Sequence, residues 1–233
     1  MWQMQHESGT LGRRAQRTMT QTNTNGSART SRLSKSAATR RRVIEAAARV
    51  LVEQGYAGTR LSDIATEAGL QAGSLYYYFE SKENLVEEVL RYGVQFTHTH
   101  VRVAVEQLPE TATPGERLST AVSGFLEATL ELGDMSPAHV RTYQQLPPEI
   151  QERLRPMRRA FGRFWEELID AAIAAGDVRD DIDPLILRLF IINSLERVAE
   201  WPLKTRRSPR DLSDLMQTLI FDGVGQGDRH RRK

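Results

Sequence analysis

Cysteine is absent from the 233 residues, which removes disulfides, thiolate nucleophiles and Cys-ligated metals from the possible chemistry. Long apolar runs are missing too. Nothing approaches the ~18 consecutive residues of a membrane span, and the opening MWQMQHESGTLGRRAQRTMT lacks the apolar core of a secretory leader. A cytoplasmic chain with no membrane partner is therefore expected. Runs of β-branched residues are few and no convincing strand or internal repeat is present, so the expected fold class is all-α. Also lacking are paired carboxylates on a shared face, glycine-rich phosphate loops, zinc-binding His pairs and a nucleophile elbow. A chain that is not an enzyme, with no cofactor and no metal, is the expectation. Asp180, Asp181 and Asp183 do cluster, but Asp183 precedes Pro184 at a helix start, where a capping carboxylate needs no catalytic role.

What is there begins with charge. Residues 1–42 hold nine Lys or Arg against Glu7 alone, a net +8, although the whole chain carries only +2, so the remainder carries −6. A basic arm ahead of an acidic body points to a polyanion held at one end, either nucleic acid or a lipid surface. Residues 1–35 are rich in Thr, Ser, Asn, Gln, Gly and Arg with almost no apolar periodicity, so they are expected to be a disordered basic arm. Met19 offers a second candidate translation start beside Met1.

From Thr39, a candidate N-cap, the pattern turns helical: Val43, Ile44, Ala47, Val50 and Leu51 share one face, and Gly55 stops that helix near Gln54. Leu61–Ala68 and Ala72–Phe79 follow as short helices, and Ser81 opens a longer one with Leu85, Val89, Tyr92 and Phe96 on one side. Beyond residue 105, prolines at 109 and 114, at 137, at 147 and 148, and at 184 mark loops between helical stretches. The stretch beginning LILRLFIINSL is apolar nearly all round, and Leu212, Leu215, Met216, Leu219 and Ile220 stripe a last amphipathic helix.

The segment LSDIATEAGLQAGSLYYYF has the layout of a helix-turn-helix. Ile64, Ala68, Leu70, Leu75 and Tyr78 point inward, Ala65 is small where the helices cross, and Gly69 stands at a turn that needs positive φ. A major groove about 12 Å wide admits one helix. The second helix should thus present Gln71, Gly73, Ser74 and Tyr77 to base edges. Thr59, Arg60, Tyr76 and Lys82 are placed for phosphates, which position without reading sequence, and Ser62 is a further candidate DNA contact. A run of three tyrosines is often plain packing, but no more than two consecutive helical residues face inward, so Tyr76 and Tyr77 beside Lys82 favour the DNA reading. His98 and His100, at i and i+2, lie on different faces and suit surface or pocket-lining roles better than a metal.

The stretch TRRRVIEAAARVLVEQGYAGTRLSDIATEAGLQAGSLYYYFESKENLVEEVL, residues 39–90, closely resembles the N-terminal domain of the TetR family. Its most specific parts are GYAGTRLSDIATEAG and LYYYFESKENL. In that family the residues matching Tyr76 and Lys82 contact phosphate, and those matching Gln71, Ala72, Gly73, Ser74 and Tyr77 approach the bases. Gln71 replaces a common Ser, so the operator cannot be carried over. More loosely, AAGDVRDDIDPLILRLFIINSLERVAEWP is similar to the stretch leading into the family's eighth helix.

The resemblance implies about nine helices: the basic arm 1–35, a three-helix DNA-binding domain 36–96 with its helix-turn-helix at about 60–79, a ligand-binding and dimerisation domain 97–223, and a disordered tail 224–233. It implies a homodimer through the last two helices and a pocket among the fourth, fifth, seventh and eighth. Phe125, Tyr143, Phe161, Trp165 and Asn193 are the candidate effector contacts, each of them also suited to plain core. Arg141, Glu196 and Arg197 are either surface groups or partners of an acidic ligand. The apolar and aromatic pocket segments suit a hydrophobic or acyl-bearing metabolite, an acyl-CoA among them. The expected function is a nucleoid-associated repressor on a palindromic operator of double-stranded DNA, released by that effector. An activator of the same fold, a DNA-binding module without effector, and a helical enzyme or membrane-surface protein are the alternatives.

Overall fold

The computed structural model describes residues 12–201 and 208–224. Nine α-helices and no β-strand occur among them: α1 Gly12–Gly58, α2 Leu61–Glu67, α3 Ala72–Leu75, α4 Lys82–Glu106, α5 Pro114–Leu132, α6 Met135–Thr142, α7 Pro148–Ala174, α8 Pro184–Arg197 and α9 Pro209–Val224. Single 3₁₀ turns follow α6 at Tyr143–Gln145 and α8 at Val198–Glu200. Contacts divide the chain into residues up to Val43 and residues from Ile44 onward. The first unit contributes the opening part of α1, and the second holds the remaining helices.

α1 begins well before the apolar periodicity does. Thr39 caps nothing, because its hydroxyl donates to the Lys35 carbonyl at 3.0 Å inside a continuous helix. The stretch from Gly12 to residue 35, expected to lack regular structure, is helical. It contains no proline, and its composition limits what it can bury rather than whether it can coil. Residues 1–11 and the tail from 225 lie outside the described residues. At Gly55 the helix breaks as expected, with φ 67° and ψ 176°.

The small domain closes around Ala47, Leu51, Ile64, Leu75, Phe79 and Leu85, all buried. α4 leaves it with Ser81 as N-cap, whose hydroxyl oxygen accepts the Asn84 N–H at 3.1 Å. α5 carries a full capping box, Thr113 with Glu116. Pro137, taken as a loop marker, instead sits in the first turn of α6, where a missing N–H costs nothing. The larger core joins α4, α5, α7, α8 and α9 through Val101, Leu126, Trp165, Ile169, Ile191 and Met216. Asp183 caps α8 as expected, accepting from the Leu185 N–H at 2.8 Å.

Candidate functional site

The turn between α2 and α3 is built on backbone. Gly69 has φ 65°, with open space where a Cβ would stand, so conformation rather than crowding selects glycine. The Leu70 N–H donates to the Ala65 carbonyl at 2.8 Å and holds the turn closed. Ile64, Ala65, Ala68 and Leu75 are buried beneath it, and Leu70 and Tyr78 are partly covered.

The second helix is shorter than expected. Regular α geometry ends at Leu75, and the chain then tightens, the Tyr77 and Tyr78 N–H groups reaching only three residues back to Ser74 and Leu75. The segment to Phe79 stays hydrogen-bonded but is not a rod of two α-turns. Along it Gln71, Ala72, Gly73 and Ser74 are exposed in a row, joined by Tyr76 at 61% and Tyr77 at 80% exposure. Gly73 leaves open space around its Cα. Arg60 and Ser62 are exposed at the start of α2, and the Lys82 ammonium lies 4.4 Å from the centre of the Tyr56 ring. Thr59 does not belong to this surface: it is buried, and its hydroxyl donates to the Gly55 carbonyl at 2.7 Å, closing the turn out of α1.

A cavity of about 310 Å³ opens in the larger domain among α4, α5, α6, α7 and α8. Phe125, Phe161 and Asn193 line it, as expected for effector contacts. Tyr143 and Trp165 do not. Trp165 is wholly buried in the core against Phe125 and Phe161, its indole N–H without a partner among the described residues. Tyr143 stacks on His139 with ring centres 5.7 Å apart and lines a groove outside.

The cavity's polar groups were the part the sequence reading largely missed. His139 is buried, Arg158 Nη1 approaches its Nε2 at 2.5 Å, and its Nδ1 has no partner among the described residues. Burial, reinforced by the Arg158 charge, pushes its pKa down to about 3, so the imidazole is neutral. Since Arg158 can only donate, Nε2 accepts and the ring proton sits on Nδ1. Glu196 lines the same cavity, and burial raises its carboxyl pKa against the lowering pull of Arg158 and Arg197. His98 stays outside, between the rings of Phe161 and Phe164, its pKa lowered by burial and then by Arg102.

Two contacts tie the cavity-lining α6 segment to the small domain. Gln145 Oε1 accepts the Tyr56 N–H at 3.0 Å, and Arg141 donates to the Val52 carbonyl at 3.2 Å while pairing with Glu200 at 2.7 Å.

Comparison with known proteins agrees with both halves of this arrangement. Residues 43–89 match the family model described as bacterial regulatory proteins, tetR family, and residues 111–224 match the tetracyclin repressor-like C-terminal domain. The HTH-type transcriptional repressor KstR2 of Mycolicibacterium smegmatis is 27% identical over 84% of this chain and 97% of its own length. KstR2 of Mycobacterium tuberculosis is 30% identical over 68% of this chain and 78% of its own. Its solved structure, that of a ketosteroid transcriptional regulator, superposes with a TM-score of 0.71 at 25% identity over 81% of this chain and 95% of that one. AibR, solved with isovaleryl coenzyme A and operator DNA, shares the fold at a TM-score of 0.69 and 22% identity, over 78% of this chain and 98% of that one. The chain belongs to the TetR family of DNA-binding transcriptional regulators.

Proposed function

We propose that the protein is a repressor that binds a palindromic operator as a homodimer and leaves it when a hydrophobic, acyl-bearing effector, such as an acyl-CoA, fills the cavity. The observation that carries this is the exposed row of Gln71, Gly73, Ser74 and Tyr77 on one hydrogen-bonded segment, in a chain whose larger domain encloses a largely apolar cavity. Arg60, Ser62, Tyr76 and Lys82 flank the row for phosphate contact.

Two copies are needed to present two such rows about 34 Å apart on one DNA face. Leu185, Ile186, Leu189 and Phe190 of α8 and Leu219 of α9 are each about half exposed, an apolar face of the kind two subunits bury between them. α4 starts beside the phosphate-contacting Lys82 and lines the cavity further along, which makes it the lever. A coupling of ~1 to 3 kcal/mol between the two sites is enough for release. No helix of the described residues is long and apolar enough to cross a membrane, and the site of action is the cytoplasmic nucleoid.

Genomic footprinting with purified, effector-free protein tests the proposal and locates the operator. Discrete protected sites with two-fold symmetry are expected. Folded protein with no preference for any duplex over random competitor refutes it.

A further inference from the structure

The effector cavity has a basic neighbour. Arg158, Gly162 and Arg188 line it, and the same three residues line a neighbouring open groove of about 460 Å³. Arg155, Arg159 and Arg163 complete the groove's basic wall, so five guanidinium groups face it against one lining carboxylate, Glu166. Arg155 pairs with Glu152, and Arg188 is held by the Gly162 carbonyl and Glu166, each at 3.1 Å. Arg159 and Arg163 are exposed and have no carboxylate partner among the described residues. Positions 155, 159 and 163 recur every fourth residue of α7, a stripe of like charge about 12 Å long at 1.5 Å per residue. Like charges at that spacing repel. An anion with several charged groups relieves the repulsion, whereas one carboxylate engages a single arginine of the stripe.

We propose that this groove binds the phosphorylated headgroup of an amphiphile whose apolar tail occupies the cavity, the chemistry of a nucleotide-linked thioester such as an acyl coenzyme A. The assignment rests on the effector-controlled reading above and adds the residues that read the headgroup. Arginine forks suit phosphate oxygens bidentately, and Gly162 lines both cavity and groove, where an added Cβ would meet only Arg188 Nη1 at 3.9 Å. His139, on the cavity side, contacts Arg158, which lines both spaces.

Binding of coenzyme A alone, octanoyl-CoA, octanoate and inorganic phosphate to the full chain, measured calorimetrically at low salt, tests the site. Coenzyme A is expected to bind far better than phosphate, and octanoyl-CoA better than octanoate. An Arg159→Ala, Arg163→Ala double variant should weaken both CoA compounds at least about tenfold and flatten their salt dependence. Both side chains are exposed, so unchanged melting is expected alongside, with octanoate losing far less affinity than the two CoA compounds. Equal affinity for coenzyme A in the variant and parent, coenzyme A no tighter than phosphate, or octanoate matching octanoyl-CoA overturns the assignment. Phosphatidylglycerol vesicles binding through Arg159 and Arg163 where coenzyme A does not would assign the groove to a lipid phosphate and overturn the nucleotide. Operator binding by the same samples is a separate readout: no operator binding by the effector-free parent, or undiminished operator binding with octanoyl-CoA bound, counts against the repressor, not against the groove.

Discussion

Acidification from about pH 7.5 to about pH 5 tests the buried His139 directly. Its pKa is about 3 in the folded chain, against an ordinary value of 6.5. The unfolded chain therefore binds a proton at this residue that the folded chain refuses, and stability falls as pH drops below 6.5, levelling off near pH 3. At pH 5 the unfolded ring is almost fully protonated, which costs the native state about 2 kcal/mol relative to pH 7.5. Glu196 acts in the opposite sense: its raised pKa lets the folded chain hold a proton above the ordinary carboxyl range, and it gains stability as pH falls through that window. The quantity to read is therefore a difference between proteins. Urea unfolding at one protein concentration, at both pH values, should show that His139→Gln loses about 2 kcal/mol less on acidification than the parent, with the Glu196 contribution common to both. Parallel pH profiles in the two proteins would refute the placement of a neutral imidazole beside Arg158.

Lys82→Ala should weaken binding to all duplexes alike and lower the salt slope by about one per half-site, whereas Tyr77→Ala or Gln71→Ala should relax sequence choice and leave that slope nearly intact; electrophoretic or anisotropy titrations at several salt concentrations separate the two patterns. Ile186→Arg with Phe190→Arg, on the exposed face of α8, should give monomers by sedimentation and take operator affinity with them, while a double variant that stays dimeric would place the interface elsewhere. Gln145→Ala removes the bond to the Tyr56 N–H, and should leave DNA affinity and effector affinity each within about threefold while reducing the release of DNA by effector.

Fold and domain order were legible because the signals behind them are local. The i, i+3, i+4 spacing of Ile44, Ala47 and Leu51, the Ser81 cap and the positive φ of Gly69 each depend on a few neighbouring residues. Errors arose where one local signal admits two structures. Leu75, Tyr78 and Phe79 fit the inner face of an α-helix, but equally that of one α-turn followed by tighter turns, and the shorter form is present. Thr59 precedes α2 where a phosphate contact is plausible, yet its hydroxyl is consumed by Gly55. For the arm, composition reported inability to bury, yet α1 runs continuously from Gly12.

The candidate effector site was half legible, for a reason its residues make plain. Periodicity assigns a side chain to a face but not to a depth. Phe161 and Trp165 share one face of α7, yet Phe161 borders the cavity and Trp165 fills the core. The arginines of RPMRRAFGRF were in view, but their face becomes a groove only when Arg188 arrives from α8. The tie between Gln145 and Tyr56 spans 89 positions, and no spacing rule reaches that far. Such contacts are also those a coupled protein needs. A residue pair close in sequence moves as one, whereas Gln145 and Tyr56 belong to parts that can shift against each other, so their bond can differ between bound and unbound states. If the proposed coupling runs through this bond, it uses the class of contact that sequence patterns are least able to reveal.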